Sequence, residues 1–249
     1  MSCSHHTGDF PGVTPKDMTV KLTTLSAALA VTAITGLAAP LGAQDRTGKN
    51  VDPAGTGTRG GVAQIAMAQD LYAMGMAQQD ALTVLTAAKL AAGVDLTDVE
   101  RELETKPGTA TEEADVADAP VDAATMLASA KTLAGEDEVL AALVEEAEAE
   151  GARGRIGGAS QTLSRLPAGA IDTWKVPFYG NSYAELAVLG DGDANLDVLV
   201  TDENGNTICH DASWSDKVYC DFVPAWNGYF VVTVENTGVK RNSYYLMTN

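Results

Sequence analysis

Oxygen-bearing side chains recur at every second position along Asp191, Asp193, Asn195 and Asp197. In an extended chain these odd positions share one face, while Leu196, Val198 and Val200 take the other. Four hard oxygens on one side suit a cation such as Ca²⁺, and D-x-D-x-N is how calcium loops begin. Leu196 stands where an EF-hand loop needs Gly. Same-face residues lie about 7 Å apart on a flat strand, so one ion requires this loop to curl. The other reading is a solvated strand entry. Ca²⁺ is the one cofactor the residues suggest.

Cys209 and Cys220 flank a predicted hairpin, and in an exported chain they are expected to form a disulfide. By loop-entropy reasoning it adds about 3 kcal/mol. Trp214, Trp226 and Tyr219, with Trp174 and Tyr229 near them in sequence, are candidates for an aromatic platform holding a glycan or an extended peptide. Trp214 and Trp226 fall on predicted turns, where burial is harder, although core packing is the usual fate of aromatics in a sandwich. His210, Asp211 and Ser213 have the types of a nucleophilic relay but crowd one short loop, where neighbours on a strand point opposite ways. No catalytic set emerges. Beyond residue 43 the chain has one His and two Cys, so a zinc site or a Ser–His–Asp relay would have to be built on His210 alone.

These residues need elements to position them. The chain has 249 residues and a formal charge of −18. That acid excess argues against nucleic acid and anionic membrane surfaces as partners. Residues 18–43, MTVKLTTLSAALAVTAITGLAAPLGA, have the layout of a secretory signal peptide, with Lys21 before an apolar stretch and Ala43 at the expected cleavage point. The apolar core is shorter than the roughly 20 residues that span a bilayer, so no membrane insertion is expected after cleavage. Met18 is read as the true start, which sets aside Cys3, His5 and His6. The destination is the periplasm or the cell exterior.

Residues 44–60 are Gly, Thr, Asp and Pro without an apolar pattern, and are expected to be a flexible leader. Gly55–Gly60 satisfies G-x-G-x-x-G, but no buried strand precedes it, so no dinucleotide site is expected. Residues 61–150 read as Ala-rich helical hairpins of about four helices: 61–78, 81–92, 121–134 and 138–150. Asp80 is placed to N-cap the second helix and Gly93 to close it. The hairpins resemble each other weakly, with Leu71 and Leu127 in corresponding places. Residues 95–104 are expected to add a short helix, 105–120 a loop, and Met67, Met74 and Met76 to pack in the core. Residues 151–170 are expected to be a Gly-rich linker.

After residue 170 the pattern changes to period two. All three Trp and every Tyr but Tyr72 fall there. Seven short strands, 171–178, 183–189, 195–202, 207–211, 218–223, 229–236 and 243–248, predict an antiparallel, jelly-roll-like β-sandwich of 7–8 strands over 171–249. Asn204-Gly205 and Asn227-Gly228 supply hairpin turns.

The run AELAVLGDGDANLDVLVTDENGN, then CDFVPAWNGYFVVTVEN, then NSYYLMTN resembles the bacterial pre-peptidase C-terminal type of β-sandwich. The shared features are an acidic Gly-Asp loop entering a Leu-Asp strand and a D-x-N-G-N hairpin. A Phe…Pro…Gly-Tyr turn and a closing Asn…Tyr strand complete them. The resemblance covers residues 170–249 and implies an accessory domain on secreted bacterial proteins, often beside a peptidase. The helical 61–150 carries no peptidase residues. The expectation is therefore an exported, non-catalytic binding or scaffolding protein for an unknown protein or glycan at the cell envelope. The alternative is an accessory subunit of a secreted hydrolase, or an enzyme with an unrecognised site.

Overall fold

The computed structural model describes residues 46–108, 117–150 and 158–249. The expected signal peptide, the alternative start at Met18, and Cys3, His5 and His6 lie outside the described residues. So does the 151–157 part of the expected linker.

Among the described residues four helices form where apolar residues recur at three and four: α1 Gly61–Gln78, α2 Ala81–Ala92, α3 Ala123–Ala134 and α4 Glu138–Glu150. Asp80 caps α2 as expected, accepting the backbone N–H groups of Leu82 and Thr83 and the Thr83 hydroxyl at 2.6 Å. These bonds hold its carboxyl below the usual range. Gln79, in the left-handed region at φ 53°, closes α1 and turns the chain into α2. Small side chains bring the helices close: a Cβ on Gly75 would run into Val84. Asp122 caps α3 in the same way, accepting from the Thr125 N–H at 2.7 Å. No described helix is long and apolar enough to cross a membrane.

The ten strands are β1 Asp95–Asp98, β2 Glu102–Lys106, β3 Gly158–Leu166, β4 Ile171–Phe178, β5 Ala184–Gly190, β6 Leu196–Asp202, β7 Thr207–Asp211, β8 Lys217–Phe222, β9 Gly228–Asn236 and β10 Asn242–Thr248. They make two five-stranded sheets in the orders β1-β3-β10-β5-β8 and β2-β4-β9-β6-β7. Every pair is antiparallel except β1 with β3. Alternating apolar residues, among them Val176, Leu186, Val198, Phe230 and Leu246, fill the space between the sheets. Phe178, Phe222 and Phe230 pack as an aromatic cluster. The fold is four helices and a β-sandwich, as the sequence predicts.

Three segments differ from expectation. Residues 95–98 and 102–106 are strands where a helix and the start of a loop are expected, because DLTD and ELETK have no apolar face to bury and each instead completes one sheet edge. Arg101 pins the crossing between them, donating to the Ser160 hydroxyl at 2.9 Å and the Thr248 hydroxyl at 3.1 Å. The expected linker holds β3, whose partners β1 and β10 lie far away in sequence. The leader is packed, not free. Asn50 is fully buried and Val51 lies against the sandwich core. A Cβ on Gly55 or Gly57 would overlap Val223 or Tyr183, which is the physical reason for glycine in that G-x-G-x-x-G run.

The helices cover the outer face of the β1–β8 sheet. Val62, Ile65 and Ala68 of α1 pack with Ala187, Leu189 and Met247. Glu185 of β5 reaches the start of α1 and accepts the Gly60 N–H at 2.9 Å. The four helices and the sandwich therefore belong to one structural unit.

Candidate functional site: a polar cleft beneath Trp214

Two loops meet at one end of the sandwich, 191–195 between β5 and β6 and 212–216 between β7 and β8. Between them opens a cleft of about 430 Å³ lined by Asp193, Asn195, Trp214, Ser215, Asp216 and Lys217. Its most exposed member is Trp214, 99% accessible. The preceding turn is held by Asp211, which accepts the Ser213 N–H at 2.8 Å and the Ser213 hydroxyl at 2.7 Å. Those two bonds keep the Asp211 carboxyl below its ordinary range.

Asp216 anchors the floor. It is buried, accepts the Gly192 N–H at 2.5 Å and the Asn242 amide at 3.2 Å, and has the Lys217 ammonium 3.9 Å away. Gly192 sits at φ 94°, a conformation that favours glycine. Asp216 and Lys217 were not singled out from the sequence, and their only signal there is adjacency to Trp214.

The four expected Ca²⁺ ligands come to this region, where the three aspartates accept from the protein's own donors and Asn195 donates its amide to Asp197 and Thr237. Asp191 accepts the N–H groups of Asp193 at 3.0 Å and Ser243 at 2.7 Å. Burial pushes its carboxyl above the usual range against the pull of those bonds. Asp193 accepts the Ala117 N–H at 2.6 Å, and Asp197 accepts the Asn195 amide at 3.0 Å. Ca²⁺ takes six to eight oxygens. Among the described residues no group of three or more His, Cys, Asp or Glu side chains gathers as a metal site. The side-chain oxygens of Asn195 and Asn242 are buried and accept no hydrogen bond from the described residues.

The expected platform is not one surface. Trp226 is only 9% exposed, and its indole N–H donates to Glu203 at 2.6 Å. Tyr219 is half-buried, donates its hydroxyl to Glu185 at 2.8 Å and carries the Arg59 guanidinium 5.3 Å above its ring. Trp174 is buried and donates to the Tyr244 hydroxyl at 2.7 Å, which in turn donates to Asp172. Trp214 is the most exposed of these aromatics and stands beside polar groups, while Tyr229 on β9 is exposed on a different element. His210 is exposed and Ser213 donates to Asp211, so that trio forms a turn rather than a relay. Cys209 and Cys220 are joined, with Cα atoms 6.3 Å apart, and tie edge strand β7 of one sheet to edge strand β8 of the other.

No protein-family profile matches the chain, and no curated protein matches it. Among solved structures, the pre-peptidase C-terminal domain of a collagenase from Bacillus anthracis is similar at 11% identity and TM-score 0.24, over 36% of this chain and 76% of that one. A carbohydrate-binding module in complex with calcium and xylotriose is similar at 10% identity and TM-score 0.23, over 35% of this chain and 86% of that one. Both are β-sandwich domains, the architecture that the strand order above establishes for this chain.

Proposed function

We propose that the protein is an exported, non-catalytic binding module that holds a glycan in the cleft beneath Trp214. The observation that carries this reading is the Trp214 indole, wholly in solvent next to a polar cleft. A large exposed aromatic is unfavourable in water, and its flat face suits the C–H face of a sugar ring. Asp193, Asn195 and Lys217 lie within the same cleft to accept from and donate to sugar hydroxyls. The disulfide is consistent with an oxidising compartment. The accessory role beside a hydrolase remains compatible, since holding a polysaccharide brings a separate enzyme to its substrate.

The test is a fluorescence titration with soluble xylo-, cello- and chito-oligosaccharides. Trp174 and Trp226 are buried, so a change in emission reports on Trp214. Saturable quenching by one sugar class, lost in Trp214→Ala, supports the reading. Retention of a polysaccharide by Trp214→Ala, or a flat titration across all three classes, would sink it.

A further inference from the structure

Helix α1 carries an unpartnered stripe that the glycan reading does not use. Ala63, Met67, Asp70 and Met74 are spaced by four, three and four residues and so lie on one face of the helix. Met67 and Met74 are 55% and 45% exposed, contrary to the core position expected from their helical spacing. Beside the stripe runs β8, the last strand of its sheet. Between helix and strand is a hollow of about 400 Å³ lined by Arg59, Ala63, Met67, Asp70, Leu90 and Tyr219.

The charges in this hollow are unequal in their freedom. Arg59 stands over the Tyr219 ring and is 3.8 Å from Asp221, so its charge is already matched. Asp70 lies at the exposed edge of the hollow, where partial desolvation holds its carboxyl above the usual range while Lys217 on β8 draws it partly back. Its exposed carboxylate is open to a cation brought by a partner. The chain as a whole carries −18, which draws cationic partners toward it and repels anionic surfaces. Methionine side chains are flexible and polarizable, so they adapt to apolar partners of varied shape.

We infer that this hollow is a docking groove for a basic, apolar peptide segment of a partner protein. Its apolar side chains would lie against Ala63, Met67, Met74 and Leu90, with a Lys or Arg at Asp70. Trp214 lines a different cleft, and Lys217 faces both that cleft and Asp70.

The probe is a short amidated Leu/Lys peptide, with a Leu/Glu peptide of equal length as control. Each is titrated into the full chain by calorimetry and by NMR of labelled methionine methyls. The Leu/Lys peptide is expected to bind saturably, one per chain, and to shift the methyls of Met67 and Met74. Asp70→Asn should weaken binding about tenfold, the value of one charge-assisted hydrogen bond. Met67→Gln should weaken it while leaving unfolding unchanged, and Trp214→Ala should have no effect. Glu136 is exposed in the turn between α3 and α4, so Glu136→Gln removes the same charge elsewhere. Equal weakening by Asp70→Asn and Glu136→Gln would reduce the effect to general attraction and overturn the inference. Equal binding of the Leu/Glu peptide would overturn it too. So would Met67 and Met74 shifts that grow with protein concentration alone, which would assign the stripe to a second copy of this chain.

Discussion

The backbone N–H of Trp226 donates to the side-chain carbonyl of Asn50, 3.0 Å away and 176 positions earlier. The Asn50 N–H in turn donates to Asp202 at 2.8 Å, and its amide reaches Glu203 at 3.2 Å. One buried asparagine thus stitches the leader to two sandwich loops. Asn50→Ala leaves the Trp226 N–H buried without an acceptor, a loss of about 2 kcal/mol. For a chain of this size that lowers Tm by roughly 4–8 °C. A thermal scan of the variant with an unchanged midpoint would show the leader to be dispensable.

Cys209 and Cys220 close the side of the sandwich where β7 and β8 are the free edges. Without the bond, only packing holds these two edge strands together. The Cys209→Ala, Cys220→Ala double variant is expected to lose about 3 kcal/mol. Its urea midpoint should match that of reduced wild type. Coincident midpoints for oxidised and reduced protein would refute this.

Asp202 is buried, and desolvation by itself would raise its carboxyl. The N–H groups of Asn50, Asn204 and Asn206 and the Asn206 amide outweigh that, and the net shift is downward. A carboxyl lowered in the folded state adds stability that is present above its unfolded value, near 4. That stability is lost as pH falls through the lower folded value. Urea unfolding followed from pH 6 down to about pH 3 should therefore show a steeper loss in wild type than in Asp202→Asn. Parallel curves would mean that other carboxylates carry the acid response.

Much of the fold was legible locally. The spans of α1, α2 and α4 follow from apolar spacing, and the start of α2 from Asp80. The strands Ile171–Phe178 and Thr207–Asp211 follow from alternation and turn residues. Period and capping act within a few positions, so neighbours in sequence are enough to specify them. The strands β1, β2 and β3 were not legible, because polar strands such as ELETK and GASQTLSRL become strands only when a distant edge accepts their hydrogen bonds.

The candidate site divides in the same way. Trp214 and Trp226 both stand on turns, and by type and context the chain treats them alike. The tertiary structure separates them. Asn50 and Glu203 arrive from elsewhere to satisfy the backbone and indole N–H groups of Trp226, so it can be buried at little cost. Among the described residues no such partners come to Trp214, which is left in water beside Asp193, Asn195 and Lys217. Sequence alone determined that the chain carries acidic loops, aromatic turns, two pairable cysteines and the periodicities of helices and a sandwich. Which aromatic faces solvent, and which carboxylates are already satisfied, depends on partners that lie from two positions away, as Asp193 does from Asp191, to 176 away, as Asn50 does from Trp226, and only folding brings the distant ones together.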